Sequence, residues 1–131
     1  MSASIDTNVL LRLIRADVPD QHLVACRLMS DPAHPVAVDD QALIETVFAL
    51  HRYYQVSRSD CVQVVGAVLE MPTLIGNFTV FRPAMSLWAA HPKLSLSDCY
   101  LAEKAADTQM TPLWTFDQKL ANQHTAAQLA T

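Results

Sequence analysis

The chain has 131 residues, of which 51% are hydrophobic and 17% are charged, and its formal net charge is −4. This length and apolar content suffice for one buried core, so we predict a single domain over residues 1–131 and exclude a disordered chain. The acidic balance excludes a protein that holds nucleic acid by overall positive charge, although a bound divalent cation can supply a positive field locally.

Apolar residues that recur at three- and four-residue steps predict six helices. In chain order they span residues 8–15, 22–29, 41–54, 60–71, 83–90 and 97–106. Short apolar or β-branched runs predict four strands between the helices. These span residues 2–5, 36–38, 78–81 and 113–116. Strands that alternate with helices predict an α/β fold in which helices cover a parallel sheet.

Several classes of protein are excluded by what the sequence lacks. No apolar run reaches the roughly 18 residues that cross a bilayer, and residues 1–6 do not resemble a signal peptide, so we expect a cytoplasmic protein that does not contact membranes. The three cysteines, Cys26, Cys61 and Cys99, form no CxxC pair and are expected to be reduced. With only two glycines, the chain has no phosphate-binding loop of the P-loop or dinucleotide type.

Acidic residues follow two of the predicted strands. Asp6 closes the first strand and Asp117 follows the fourth. Ligands of open parallel sheets bind outside the carboxyl ends of the strands, so both residues should reach the same edge. Each also fits a structural role, because Asp beside a helix start is a common N-cap. Asp98 has the same alternative, since residues 95–98 (SLSD) fit a capping box with Asp in place of Glu.

Glu45 is different because it lies inside a predicted helix and among almost wholly apolar residues. No helix cap explains it, and a carboxylate near a buried face is costly unless it is paired or bound to a metal. The structural alternative is a solvent-facing stripe of the helix. If the four acids converge, their repulsion requires a cation, and hard oxygen ligands favour Mg²⁺ or Mn²⁺ over zinc. The five histidines are scattered without zinc-like spacing, so we assign none to the metal.

Four blocks of the sequence resemble the PIN-domain nucleases, and the closest likeness is to VapC-type toxins. They are residues 5–12 (IDTNVLLR), 43–48 (LIETVF), 96–98 (LSD) and 115–121 (TFDQKLA). The resemblance implies a three-layer α/β/α sandwich with a short central parallel sheet and a Mg²⁺- or Mn²⁺-dependent endoribonuclease that cuts RNA. It also implies a homodimer and inhibition by a cognate antitoxin protein. Residues 123–131 lack the apolar strand that often ends such domains, so the sequence leaves open whether a final C-terminal strand exists.

The resemblance assigns roles to individual residues by position. The catalytic metal ligands are Asp6, Glu45, Asp98 and Asp117. Asn8 and Thr115 are polar supports near the site, and Thr7 is expected to help the turn. The candidates for phosphate contacts, each of which is alternatively a solvated surface charge, are Arg12, Arg52, Lys93 and Lys119. The mechanism expected is in-line attack of a metal-activated water on the phosphodiester.

Two other functions remain open at this stage. A phosphatase that forms an aspartyl phosphate on Asp6 uses the same position, but such enzymes usually carry a second Asp two residues later, where this chain has Asn8. A catalytically inert binding module with the same fold is the second alternative. Four crowded carboxylates disfavour it, because a module that binds no metal gains nothing from their repulsion.

Overall fold

Helices alternate with short parallel strands along residues 3–131, which the computed structural model describes. The fold is therefore mixed α/β, as the sequence predicts. The chain divides into two compact units, Met1–Asn77 and Phe78–Thr131, and each is described by itself. Ser2, which opens the predicted first strand, lies outside the described residues. No helix within residues 3–131 combines the length and apolar character that crossing a membrane requires.

The first unit contains a parallel sheet of three strands, in the order β1 (Ala3–Ile5), β2 (Val36–Val38) and β3 (Leu74–Ile75). Ile5 pairs with Val38 at the carboxyl ends of the first two strands, and both side chains are buried. β-Branched residues fit such a pleated surface well, which explains why these short runs form strands. The segments that follow β1 and β2 thus leave the sheet side by side.

Four helices belong to this unit. They are α1 (Thr7–Ile14), α2 (Pro19–Leu28), α3 (Asp40–Arg52) and α4 (Arg58–Leu69). Side-chain N-caps begin three of them, because an oxygen of Asp6, Asp39 or Ser57 accepts a first-turn N–H. α2 begins instead with Pro19, whose fixed φ and missing N–H suit a first helical position.

The second unit has three helices and one pair of strands within the described residues. In chain order they are α5 (Phe81–Ala90), α6 (Leu96–Thr108), β4 (Leu113–Thr115), α7 (Gln118–Gln123) and β5 (Ala127–Leu129). α5 and α6 pack through residues that are almost fully buried, among them Phe81, Trp88 and Ala102. β4 and β5 are parallel neighbours.

All six predicted helices are present, with ends that shift by a few residues, but the prediction of the third strand was wrong. Residues 78–80 form a loop that ends in a turn at residues 79–80, and β3 lies earlier, at Leu74–Ile75. Phe78 and Val80 are buried, yet their carbonyls accept the N–H groups of Arg82 and Ala84 at the start of α5. Their apolar side chains serve a helix entry, which an apolar run alone does not distinguish from a strand.

A final C-terminal strand, which the sequence left open, is present, because β5 pairs with β4 over three residues. Backbone hydrogen bonds extend the pairing at both ends, from Leu113 N to Ala126 O at 2.7 Å and from Ala130 N to Thr115 O at 2.8 Å. This strand buries only the small side chain of Ala127 fully, so it has no apolar run that the sequence could reveal. α7 was missed for a similar reason, since its six residues are too few for a helical period.

Candidate metal centre

Asp6 stands at the carboxyl end of β1 and is the N-cap of α1. Its backbone is extended, with φ −102° and ψ −178°, and its Oδ1 accepts a hydrogen bond of 3.0 Å from Val9 N. Asp6 therefore caps α1, which is the structural role that the sequence also allowed. A carboxylate has about four lone-pair sites on two oxygens, so one cap bond leaves most of its coordinating capacity. Because the side chain is exposed, an ion can reach it.

Glu45 lies on the exposed side of α3, which corrects the expectation of apolar surroundings. The buried residues of this helix include Leu43, Val47 and Leu50, which recur at three- and four-residue steps. Glu45 lies between these residues in sequence, but its side chain is on the opposite, exposed side of the helix. The side chains of its apolar sequence neighbours lie on other sides of the helix. The Glu45 carboxylate is therefore not buried, and burial gives no reason to infer a metal at this residue.

A hydrogen bond across 38 positions gives Glu45 a more specific setting. Thr7 Oγ1 donates to Glu45 Oε2 at 2.9 Å and also approaches Ala42 O at 3.4 Å. Gln41, one turn earlier on α3, donates from Nε2 to the other carboxylate oxygen, Oε1, at 3.3 Å. Thr7 directly follows Asp6, so these bonds hold the Glu45 carboxylate beside the start of α1. Thr7 does more than help the turn, the role expected from the sequence.

Asp98 is the third residue of α6 and is half-buried. Its backbone N–H donates to Ser95 Oγ at 3.1 Å, which is the N-cap half of the predicted capping box. In the first turn, the carboxylate lies where the helix dipole favours negative charge. The N-cap here is Ser95, so Asp98 itself is not needed as a cap.

Asp117 is the N-cap of α7 and follows β4 by one residue. Its Oδ1 accepts a hydrogen bond of 2.9 Å from Lys119 N, and its own N–H donates to Thr115 Oγ1 at 3.0 Å. Thr115 thus contacts the backbone of a predicted ligand. The Nζ of Lys119 lies 3.9 Å from the same Oδ1.

The predicted ligands divide between the two units. Asp6 and Glu45 belong to the first unit, together with Asn8, and Asp98 and Asp117 belong to the second, together with Thr115. Within residues 3–131, no three His, Cys, Asp or Glu side chains are already grouped as a metal site. The chemistry of the four acids nevertheless fits Mg²⁺ or Mn²⁺, because all are hard oxygen donors.

The four candidates for phosphate contacts have different surroundings. Arg12 Nη1 lies 2.7 Å from Asp17 Oδ1, and this hydrogen bond, followed by one with Tyr54, raises the pKa of the guanidinium. Arg52 is exposed in the last turn of α3. Lys93 and Lys119 are also exposed and line one groove of the second unit. Arg12 is thus closely paired with Asp17, whereas Lys119 lies 3.9 Å from Asp117, a looser contact that leaves its N–H donors for a phosphate.

A groove opens next to Asp6 in the first unit. Its volume is about 410 Å³, and it runs between α1 and α2, with Asn8 and Arg12 on one side and Gln21 and Val24 on the other. This volume falls in the range of pockets that bind small molecules. Asn8, predicted as a polar support, therefore shares a groove wall with the predicted ligand Asp6.

One acid at the edge of the sheet where Asp6 lies is not among the predicted ligands. Asp39 directly follows β2 and caps α3, with Oδ1 accepting from Gln41 N at 2.8 Å. Because Ile5 and Val38 are paired, Asp6 and Asp39 leave neighbouring strands whose backbones are roughly 5 Å apart. Asp39 also fits the rule of an acid just after a predicted strand, but it lies outside the four sequence blocks that supply the proposed ligands, so it is not counted among them.

No protein-family model matches this chain, and no curated protein is significantly similar to it. Its function is therefore inferred from its residues, from their positions at the ends of strands and helices, and from their contacts.

Proposed function

We propose that this protein is a Mg²⁺- or Mn²⁺-dependent endoribonuclease with a PIN-like α/β/α sandwich. The observation that carries the proposal is the contact between two of the predicted ligand segments: Asp6 directly follows β1, and Thr7 beside it holds Glu45 through a 2.9 Å hydrogen bond. Ligands of such sheets bind outside the carboxyl ends of the strands, which is where Asp6 stands. Alternating helices and parallel strands are compatible with the proposed layers.

In this proposal the metal ligands are the four predicted acids, Asp6, Glu45, Asp98 and Asp117. When bound, Mg²⁺ or Mn²⁺ lowers the pKa of a coordinated water and neutralises charge on the phosphate. The chain's own residues orient the ligands. The hydrogen bonds by which Asp6 and Asp117 cap their helices fix the orientation of these two carboxylates. Hydrogen bonds that hold ligand side chains in place commonly change metal affinity or activity by 10- to 100-fold.

We further propose that the protein is the toxin of a toxin–antitoxin pair, acts as a homodimer in the cytoplasm and is inhibited by a cognate antitoxin. The support is the order of the four similar blocks, which extends over nearly the whole chain. The proposed toxin function can be tested directly in cells. Induced expression of the wild type should arrest growth, whereas induced expression of the Asp6→Asn variant should not arrest it. Equal toxicity of the two would contradict a nuclease toxin.

Replacement of Asp by Asn tests the enzyme directly, because Asn caps a helix about as well as Asp but is a poor ligand for a hard cation. We expect Asp6→Asn and Asp98→Asn to lower Mn²⁺-dependent cleavage of RNA by at least about 100-fold, while the thermal midpoint stays close to that of the wild type. The readout is gel analysis of a labelled RNA with Mn²⁺ and with EDTA. Full activity of either variant in a clean preparation would sink the assignment.

Asp39→Asn is the matched control, since it makes the same chemical change in another N-cap at the same edge of the sheet. The proposal gives Asp39 no contact with the metal, so this variant should retain activity within about threefold.

Calorimetric titration with Mn²⁺ distinguishes the metal-dependent nuclease from a catalytically inert binding module. Absence of Mn²⁺ binding at millimolar concentration would favour the inert module.

A further inference from the structure

A groove of about 300 Å³ with a mostly apolar floor lies in the second unit, between residues 91–94 and α7. Besides Pro92 and Leu94, the residues that line it include two lysines, one histidine and two amides. These are Lys93, Lys119, His91, Asn122 and Gln123. None of the lining residues is acidic, so the groove itself offers cationic and hydrogen-bond-donating groups.

A tight turn fixes one wall of this groove. Leu94 N donates to His91 O at 3.0 Å, which closes a turn with Pro92 and Lys93 at its centre. Proline suits the first central position of such a turn because its φ is preset. Leu94 is only 2% exposed and anchors the turn in the core. Lys93 is therefore presented to solvent from a fixed backbone.

α7 forms the other wall. Leu120, at 1% exposure, anchors this short helix, while the side chain of the preceding Lys119 is 56% exposed. Gln118 Nε2 donates to Asn122 Oδ1 at 2.8 Å, which occupies the acceptor end of that amide. The Asn122 NH₂ group remains as a donor, the polarity that a phosphate oxygen requires.

The distribution of charge also favours an anion here. The first unit carries nine acidic and five basic side chains, whereas the second carries four of each, so the negative charge of the chain is concentrated in the first. Two of the three lysines in the whole sequence line this one groove. Lys119 Nζ is also 3.9 Å from Oδ1 of Asp117, which connects the groove to a proposed metal ligand.

We propose that this groove binds the phosphate backbone of a single RNA strand beside Asp117. The choice of RNA rests on the proposed nuclease function, and the choice of a phosphate rests on the lysines and amides. A groove of this volume accommodates a unit the size of one nucleotide and not a duplex. Lys93 and Lys119 are phosphate-binding residues in this proposal, and they compensate locally for the acidic character of the whole chain.

Fluorescence anisotropy with a labelled single-stranded oligoribonucleotide tests the proposal on the full chain. EDTA is present, so that binding is measured without cleavage. We expect the double variant Lys93→Ala/Lys119→Ala to bind about tenfold or more weakly at 50 mM salt than the wild type. The slope of log Kd against log salt concentration should fall by about 1.4, since each phosphate contact on a single strand contributes about 0.7.

Lys104→Ala is the control, because it removes the third lysine from the exposed side of α6, outside the groove. It should bind RNA as the wild type does. The proposal is overturned if the double variant keeps wild-type affinity and salt slope, if Lys104→Ala weakens binding equally, or if the wild type does not bind the oligoribonucleotide. Thermal unfolding of each variant shows whether the fold is retained.

Competition experiments identify the source of the phosphate. An unlabelled RNA strand should displace the probe, whereas displacement by a free mononucleotide at equal concentration overturns the proposal in favour of a mononucleotide site. Equal displacement by polyglutamate overturns it in favour of an acidic peptide. If only the nuclease proposal fails, RNA still binds through the groove but is not cleaved when Mn²⁺ is added. This result differs from every outcome that overturns the groove proposal.

Discussion

Thr7 Oγ1 donates a 2.9 Å hydrogen bond to Glu45 Oε2, which lies 38 positions further along the chain. The bond joins the first turn of α1 to the middle of α3. Glu45 is exposed, so burial does not fix its side chain. Thr7 and Gln41, which each donate to one of its oxygens, are what orient the carboxylate.

Replacement of Thr7 by Val therefore removes an orienting donor while it keeps the shape of the side chain. We expect Thr7→Val to lower Mn²⁺-dependent cleavage by about tenfold, because hydrogen bonds behind metal ligands typically matter by 10- to 100-fold. Stability should fall by no more than about 1 kcal/mol, the usual contribution of one hydrogen bond. Cleavage rates and urea unfolding measure the two effects.

Thr7→Ser is the control for this prediction, because it keeps the hydroxyl and should keep most of the activity. Full activity of Thr7→Val would show that the orientation of Glu45 does not matter to cleavage, and Glu45 would then lose its place among the ligands.

Two substitutions of Asp6 should separate its role as the N-cap of α1 from its proposed role as a metal ligand. Asp6→Ala removes both the cap of α1 and the proposed ligand, so we expect loss of cleavage together with a fall of about 1 kcal/mol in the free energy of unfolding. Asp6→Asn should lose cleavage and keep stability within a few tenths of a kcal/mol. Chemical denaturation measures the difference. If both variants are equally destabilised, the cap bond to Val9 is not what the carboxylate contributes to stability.

The sequence predicted the ends of strands better than it predicted contacts. Asp6 and Asp117 were located because an acid after a short apolar run needs only local information. The surroundings of Glu45 were misjudged because neighbours in sequence lie on different faces of a helix, and only the residues one turn away share its face. The bond from Thr7 to Glu45 has no local signal, since it depends on how α1 and α3 pack.

Cys61 supplies a prediction about pH. Burial, aided by the carboxylate of the adjacent Asp60, raises the pKa of this thiol from 9.0 to about 11. Between these two values the unfolded chain loses the proton and the folded chain keeps it, so the unfolded state binds fewer protons. The free energy of unfolding should therefore fall as the pH rises from about 9 towards 11.

Cys61→Ala tests this assignment, because alanine does not titrate. Its thermal midpoint should start lower at pH 8, owing to the lost packing, but should decline less steeply between pH 9 and 11 than that of the wild type. Parallel declines in the two proteins would show that groups other than Cys61 cause the alkaline loss of stability.

The C-terminal strand supplies the last prediction. β5 is the partner of β4, and β4 ends at Thr115, whose hydroxyl accepts the N–H of Asp117 and whose carbonyl accepts that of Ala130. Deletion of residues 127–131 removes this pairing, so we expect a loss of about 3 kcal/mol in stability, from several backbone hydrogen bonds worth about 1 kcal/mol each. Deletion of the exposed Thr131 alone should change neither stability nor cleavage. If the longer deletion keeps full cleavage as well as its thermal midpoint, β5 does not support the segment that carries Asp117, and the position of that acid must then depend on α7 and its buried Leu120 alone.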